Sequence, residues 1–425
     1  MTAESILILY LLFFAGELIF ENILSFLNIR NIQRYSDAVP EDFRDCVDLN
    51  LHRKQGEYTK AHLRWDIVSS ICSGGFVLLI VLSGALGRLD LLIGKLALPQ
   101  YIHGIIYLFS VTLIFRIFSL PFSIYSQFVI ENRYGFNTTT GKLFTIDLIK
   151  GLALSAILAF PILYGTFRFI DAFPDYWWLY TFIFITLVQL VISIIYPLII
   201  APLFNKFTPL EDGPLKDTLT ALARKLSFRT RGIFVMDGSR RSRHSNAYFT
   251  GLGKSKRIVL FDTLINSLTE DQVTAVLSHE IGHEKRRHVL KRLAVSSMFL
   301  LLGLYIISLL MGSGPLFSAF GFSGTSPYGI FVILMFCASP FTFMLTPLMT
   351  AWSRKHEYDA DRFAVNAMGG AEGLKSGLIT LSKENLSNLT PHKLYSFYHY
   401  SHPTLSERIS AMEKTAEEIR GGEGI

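Results

Sequence analysis

The sequence predicts a mainly α-helical, polytopic membrane protein with about seven transmembrane helices and a smaller part that folds in water. Three observations predict it. Half of the 425 residues are hydrophobic and only 17% are charged, with a mean hydropathy of +0.38, whereas a soluble chain of this size needs more polar residues to cover its surface. The apolar residues gather in blocks of bilayer length instead of recurring at core periodicity. Lys and Arg concentrate in the segments that flank those blocks, where they set orientation in a membrane.

The blocks run over 4–27, 66–87, 101–125, 151–170, 177–202, 293–312 and 328–350. Most are long enough to cross the hydrocarbon as helix. The first carries Glu17 and Glu21, the third His103, Arg116 and Pro121, and Pro161 interrupts the fourth. Charges at that depth are costly against lipid, so Glu17, Glu21 and Arg116 are expected to face protein or water. Segments 28–65, 126–150, 203–292 and the tail from 351 are basic, while 171–176 and 313–327 hold no Lys or Arg. That alternation fits one crossing per block, with the N-terminus outside and the two long polar segments in the cytoplasm. The expected division is a membrane portion over 1–202 with five helices, a cytoplasmic segment over 203–292, two further helices over 293–350, and a cytoplasmic tail over 351–425.

Other classes fall away on composition. The net charge of +6 comes without a basic stripe interleaved with aromatics, so nucleic acid is not an expected partner. Cys46, Cys72 and Cys337 form no C-x-x-C pair, which argues against a disulfide framework and against a cysteine zinc site. The first apolar run lacks a basic leader and carries two glutamates, so it reads as a retained helix and not a removable signal.

Segment 203–292 contains strand-like runs at Gly232–Met236, Asn246–Thr250 and Arg257–Phe261, then a helix start. Ser267-x-x-Glu270 and Thr269-x-x-Gln272 each offer a capping box before Val273. That helix carries His279-Glu280-Ile281-Gly282-His283. Residues four apart share a helical face, so both imidazoles can point at one ion. Glu280 stands beside the first, placed to take a proton from a water that zinc would bring to a pKa of about 7. H-E-x-x-H alone arises by chance in roughly one chain in a hundred of this size.

A tetrahedral catalytic zinc needs a third protein ligand and leaves one position open. Past the last apolar block comes Ser353-Arg354-Lys355-His356-Glu357-Tyr358-Asp359-Ala360-Asp361, with Glu357 and Asp361 again one turn apart. The hairpin of blocks 293–312 and 328–350 returns the chain to the side it left, so Glu357 can dock beside the two histidines. A lone Glu357 would read as a solvated charge beside the membrane; beside H-E-x-x-H it reads as the third ligand.

Six ordered pieces carry a resemblance. They are Ile130-Glu131-Asn132-Arg133-Tyr134-Gly135-Phe136-Asn137, Ala201-Pro202-Leu203-Phe204-Asn205-Lys206-Phe207, Ser245-Asn246-Ala247-Tyr248-Phe249, His279–His283, Glu357–Asp361, and Ser401-His402-Pro403 leading to Arg408-Ile409. Together they resemble the Ste24-type family of integral-membrane zinc peptidases, the M48 CAAX prenyl proteases, with HtpX-type proteases as more distant relatives. The resemblance implies a ring of seven helices around a water-filled chamber, capped by a gluzincin-like zinc domain with a small β-sheet. It implies one Zn2+ held by His279, His283 and Glu357, and Glu280 as general base. Asp361 would be an outer carboxylate or proton donor, and its spacing also suits orienting a ligand histidine. Asn246 and His402 would lie near the substrate backbone or the developing oxyanion. An extended substrate is expected to add to the edge offered by Asn246–Thr250, so that Asn246, Ala247, Tyr248, Phe249 and His402 would contact it.

By the same resemblance the partners are peptide and protein substrates, prenylated or membrane-embedded, and the bilayer itself. The location would be the endoplasmic reticulum or a bacterial inner membrane, active site toward the cytoplasm. The reaction would remove the last three residues of prenylated C-a-a-X proteins. One alternative is quality control of membrane proteins without prenyl specificity. Another, from a different class, is a multispan transporter or scaffold with a structural zinc. His244, His288 and His356 fall off the motif spacing and read as bystanders. Arg354 and Arg408 read as ion-pair partners, and Arg240, Arg241 and Arg243 as a solvated basic loop.

Overall fold

In the computed structural model, which describes residues 1–251 and 256–422, every apolar block coincides with one long helix for most of its length, though the second block ends five residues beyond α2, which stops at Leu82. In chain order the elements are α1 (Ala3–Arg34), α2 (Leu49–Leu82), α3 (Ala85–Gly94), α4 (Gln100–Tyr125), α5 (Glu131–Tyr134), α6 (Gly141–Ala172), α7 (Trp177–Ile195), β1 (Phe207–Pro209), α8 (Pro214–Lys225), β2 (Ile233–Met236), β3 (Ala247–Thr250), β4 (Arg257–Phe261), α9 (Asp262–Ser267), α10 (Glu270–Lys285), α11 (His288–Leu310), α12 (Gly314–Ala319), α13 (Gly329–Met368), α14 (Glu372–Glu384), α15 (Lys393–His399) and α16 (Leu405–Arg420). Among the described residues seven helices are long and apolar enough to cross a membrane: α1, α2, α4, α6, α7, α11 and α13.

Polar side chains start three of these helices. Thr2 accepts from Ser5 N, Asp48 from Asn50 N and Leu51 N, and Thr140 from Leu143 N, each satisfying amides that the first turn leaves free. The helices outrun the apolar blocks. α2 begins at Leu49, well before the block at 66, and α13 runs unbroken for 40 residues through the expected boundary at 350. Hydropathy marks only the part within lipid; the polar continuations stay helical because they pack on the water-soluble part. α4 and α7 each end in a π-helical turn, Ser126–Ile130 and Tyr196–Ile200, just before the Glu131 and Ala201 motifs. Such turns redirect a helix where function places side chains.

The four strands form one sheet in the order β1-β2-β4-β3, with β2 and β4 parallel and the outer pairings antiparallel. β1 carries Pro209 and is three residues long, too short for an alternation to mark it as a strand. The sheet shares a core with α8, α10, α14 and α16, built on Leu219, Ile258, Leu260, Leu264, Leu277 and Ile281. A second core, around Tyr107, Phe317, Phe320, Ile330 and Ile333, closes the opposite end of the helical array.

Two of the three charges within the apolar blocks have polar neighbours in the protein, and Arg116 is exposed. Glu17 accepts from Ser339 Oγ on α13 at 2.5 Å, Glu21 faces His399 Nε2 at 3.3 Å, and Arg116 lines a cavity of about 640 Å3 between α4 and α6.

Candidate metal centre

α10 presents two imidazoles to one point. Its start is fixed by one of the two capping boxes the sequence offered: Gln272 N donates to Thr269 Oγ1 at 3.4 Å and Thr269 N to Gln272 Oε1 at 3.0 Å. The other does not form, because Ser267 Oγ turns back to Leu264 O. Two turns on, His279 Nε2 and His283 Nε2 lie 3.1 Å apart. α13 delivers Glu357 between them, Oε2 at 3.5 Å from His279 Nε2 and Oε1 at 3.4 Å from His283 Nε2. Gly282 permits the approach: a Cβ there would stand 3.1 Å from the Ala360 Cα and carbonyl oxygen.

These residues fit a zinc ion. Donors arranged tetrahedrally at about 2.05 Å from one ion are separated by about 3.3 Å; the two imidazole nitrogens stand 3.1 Å apart, the two Glu357 oxygens face one imidazole each at 3.5 and 3.4 Å, and one ligand atom from each of the three residues lies within 4.8 Å of the others. Glu357 is 1% exposed, and its Oε2 is buried without a hydrogen-bond partner. His402 Nδ1 comes within 2.7 Å of that oxygen, close in distance but outside hydrogen-bonding geometry. Two imidazoles and one carboxylate, without sulfur, form the donor set of catalytic zinc.

Behind the donors stands a buried ionic group. Arg408 Nε and Nη2 grip the two Asp361 oxygens at 2.8 and 2.6 Å. Asp361 Oδ1 also lies 2.7 Å from His279 Nδ1. Arg408 Nη2 reaches the same nitrogen only at 3.4 Å, so the carboxylate sets the tautomer: proton on Nδ1, lone pair of Nε2 toward the centre. His283 is held differently, its Nδ1 3.0 Å from Nδ1 of His288, which is 1% exposed and stacks on His356. Spacing had set His288 aside as a bystander. No helical period could find it, because Arg287 adopts φ 57° and breaks α10 from α11, turning His288 back under the ligand.

Protonation follows from these surroundings. Burial pulls the His279 imidazole down, but the Asp361 and Glu357 carboxylates outweigh it and hold it up to about 9. Burial and the neighbouring His279 push His283 down to about 3. A cation at the centre would take the place of the proton that His279 otherwise holds. Burial pushes the Glu280 carboxyl up, against the pull of His279.

The other predicted residues surround this centre unevenly. His402 is at the ligand carboxylate and exposed. A cleft of about 490 Å3 opens beside it, bounded by Asn385, Asn388, Tyr400, His402 and Arg408. β3 packs beside α10 and, among the described residues, pairs on one side only, with β4, which leaves its other edge open. Ala247 belongs to the core and Phe249 packs on Phe228, while burial pushes the Tyr248 hydroxyl up to about 12. Their side chains are thus engaged inside, and what they offer outward is backbone. Asn246 is exposed, its Oδ1 accepting from Ala247 N.

Two basic residues depart from expectation. Arg354 bonds the Phe397 and Tyr400 carbonyls and forms no ion pair among the described residues, and Arg241 is half-buried, its guanidinium held by Asp147 and Asn205. Arg408 does form the expected ion pair.

Comparison with known proteins agrees along the chain. Residues 28–206 match the family model described as CAAX prenyl protease N-terminal, five membrane helices, and residues 209–416 match that of peptidase family M48. The chain is 37% identical to CAAX prenyl protease 1 of Saccharomyces cerevisiae, covering 92% of each protein. It is 33% identical to the human CAAX prenyl protease 1 homolog over 90% of each. The crystal structure of S. mikatae Ste24p superposes with a TM-score of 0.87 at 35% identity, covering 95% of this chain and 98% of that one.

Proposed function

From the premise that this chain belongs to the M48 family of CAAX prenyl proteases, as a membrane metalloendopeptidase of the Ste24 type, we propose that it hydrolyses peptide bonds of membrane-associated polypeptides at a zinc centre formed by His279, His283 and Glu357. Prenylated C-a-a-X proteins are the substrates that the relatives' names favour. The observation that carries the reading is the meeting of two imidazoles and one carboxylate from two helices, one ligand atom from each within 4.8 Å of the others.

Zinc bound there supplies Lewis acidity toward a water molecule and the scissile carbonyl. The chain's own groups do the rest. Glu280 takes a proton from the water on its carboxylate and hands it to the leaving amine nitrogen. Asp361, braced by Arg408, keeps the His279 lone pair directed at the centre. His402 and Asn246 donate to the carbonyl oxygen as it gains charge. The substrate lies extended along the open edge of β3, where main-chain pairing accepts varied sequences. The basic flanks of the spans favour the cytoplasmic side for this centre.

Glu280→Gln tests the reading. The expected variant keeps one zinc per chain and loses peptide cleavage. A variant that keeps both zinc and full activity would return the site to a structural zinc. A farnesylated peptide assayed beside a misfolded membrane protein separates the two substrate classes, and preference for the farnesylated peptide is expected.

A further inference from the structure

Glu131 and His244 have no place in the metal centre, yet they are bonded to each other and to the chain that leads into β3. Glu131 opens the single turn α5, directly after the π-helical turn that ends α4. Its Oε1 accepts from the Tyr58 hydroxyl and from His62 Nε2, both at 2.8 Å, and its Oε2 faces His244 Nε2 at 3.2 Å. Tyr58 and His62 lie one turn apart on α2, so one carboxylate ties a membrane helix to the loop before β3. On the other side of the ring, His244 Nδ1 lies 3.2 Å from Asn385 Oδ1. The same oxygen accepts from Ser245 N at 3.0 Å, while Asn385 Nδ2 donates to Ser245 O at 3.1 Å. Phe136 stacks on the imidazole, centroids 3.9 Å apart and planes at 16°.

The backbone follows the same path. Arg243 N donates to Phe136 O at 3.0 Å and Thr138 N to Arg241 O at 3.3 Å, and Asn137 pairs with Ser242 as an antiparallel bridge. Residues 131–139 therefore lie as a splint along 239–244. The chain leaves that splint through Ser245 into Asn246, whose carbonyl accepts from Phe261 N at 3.1 Å, and then into β3. With 244 and 245 pinned and 247 in the sheet, there is no slack in which a displacement of His244 could be absorbed.

We propose that Glu131 is a positioning residue for the substrate: by holding His244 it sets where Asn246 and the open edge of β3 stand against the metal centre. The physical ground is the shortness of the connection. A half-buried carboxylate facing three donors orients them through charge-assisted hydrogen bonds. Without the charge, His244 turns and the two residues after it turn with it. The inference rests on the reading above, in which Asn246 and β3 receive the substrate.

A double-mutant cycle on the full-length detergent-solubilised protein tests it, with Glu131→Gln, Asn246→Ala and the pair. Glu131→Gln keeps the shape and the acceptor for Tyr58 and His62 but turns an amide nitrogen on His244. The expected single variants each lose about tenfold in kcat/KM, with zinc content and melting temperature unchanged, and the double variant is no worse than the poorer single. A structural role elsewhere predicts losses that multiply. Multiplied losses, or a fully active Glu131→Gln, overturn the inference and leave the β3 reading standing. An Asn246→Ala protein with wild-type kinetics removes Asn246 from the proposed substrate contacts, and this inference with it, while the backbone edge of β3 is untouched by that change. Should Glu131→Gln melt too low to assay, His244→Leu in the same cycle decides by the same criterion, and His244→Gln, which restores a donor to Glu131, is expected to recover most of the loss.

Discussion

Gly282→Ala adds one methyl between the two proposed ligand histidines, on the face of α10 that meets α13. The new Cβ would stand 3.1 Å from the Ala360 Cα, 3.1 Å from its carbonyl oxygen and 3.2 Å from the Phe363 Cβ. Favourable carbon contacts begin near 3.5 Å, so the helices must part by a few tenths of an ångström, because two of the obstructing atoms are backbone. Ala360 sits between Glu357 and Asp361, so the parting lengthens the distances from Glu357 to both imidazoles. Zinc sites tolerate departures of roughly 0.2 Å. The metal-free protein can relax by separating α10 from α13, whereas the bound metal must draw them back together. Most of an overpacking penalty of about 1–3 kcal/mol then falls on metal binding, which corresponds to zinc affinity weakened by roughly 5- to 150-fold. Global stability moves less, since alanine regains about 1 kcal/mol of helix propensity over glycine. Competition titration against a chromophoric chelator reads the affinity. Gly377→Ala is the control: its Cβ meets Gln272 and Val276 of the same helix at 3.5 Å, an ordinary contact, and zinc affinity should not change. The reasoning fails if Gly282→Ala binds zinc like the wild type, or if both variants weaken binding equally.

Three further outcomes are expected. His288→Ala removes the partner of His283 Nδ1 and should weaken zinc binding by about 10- to 100-fold; unchanged affinity in the same titration would make that contact incidental. Arg408→Met leaves the buried Asp361 carboxylate without its bidentate partner, which should cost about 3–5 kcal/mol in stability. Arg408→Lys should not restore it, because an ammonium cannot reproduce the planar fork, and thermal denaturation showing either variant close to wild type refutes this. Chelation should lower the melting temperature, and zinc readdition at 100 times its Kd should restore about 2.7 kcal/mol; identical melts with and without metal would place no ion among these donors.

The parts of the fold legible in the sequence are those set by local sums. Seven spans follow from apolar blocks, since hydropathy adds up within one segment, and His279 with His283 follows from the helical repeat. The helix limits were not legible. Residues 49–65 are polar, and they stay helical because Tyr58 and His62 have Glu131 to bond, which only the folded chain supplies. Glu357 took a resemblance and a hairpin argument, being 74 residues beyond His283. His288 was hidden by the left-handed Arg287, and the joining of His244 to Asn385 spans 141 residues. Periodicity reports which face of one element a residue occupies, and these contacts depend on how two elements meet.

Of the two helices that carry the proposed centre, α13 is continuous with a membrane span and α10 is joined to one by a short break, and that closeness bears on substrate choice. α13 leaves its apolar block at 350 and reaches Glu357 seven residues later, about 10 Å along the axis at 1.5 Å per residue. α10 joins the span α11 through two residues, Arg286 and Arg287. The donors therefore stand at a fixed, short distance from the membrane boundary, and a polypeptide anchored in the bilayer meets them at a high effective concentration. Preference for lipid-anchored chains can arise from where the centre stands, with the open edge of β3 indifferent to sequence and no side chain of the centre recognising the lipid. One scaffold of this kind could trim a lipidated C-terminus and cut other membrane-bound chains by the same chemistry, the choice between them being set by what the bilayer delivers.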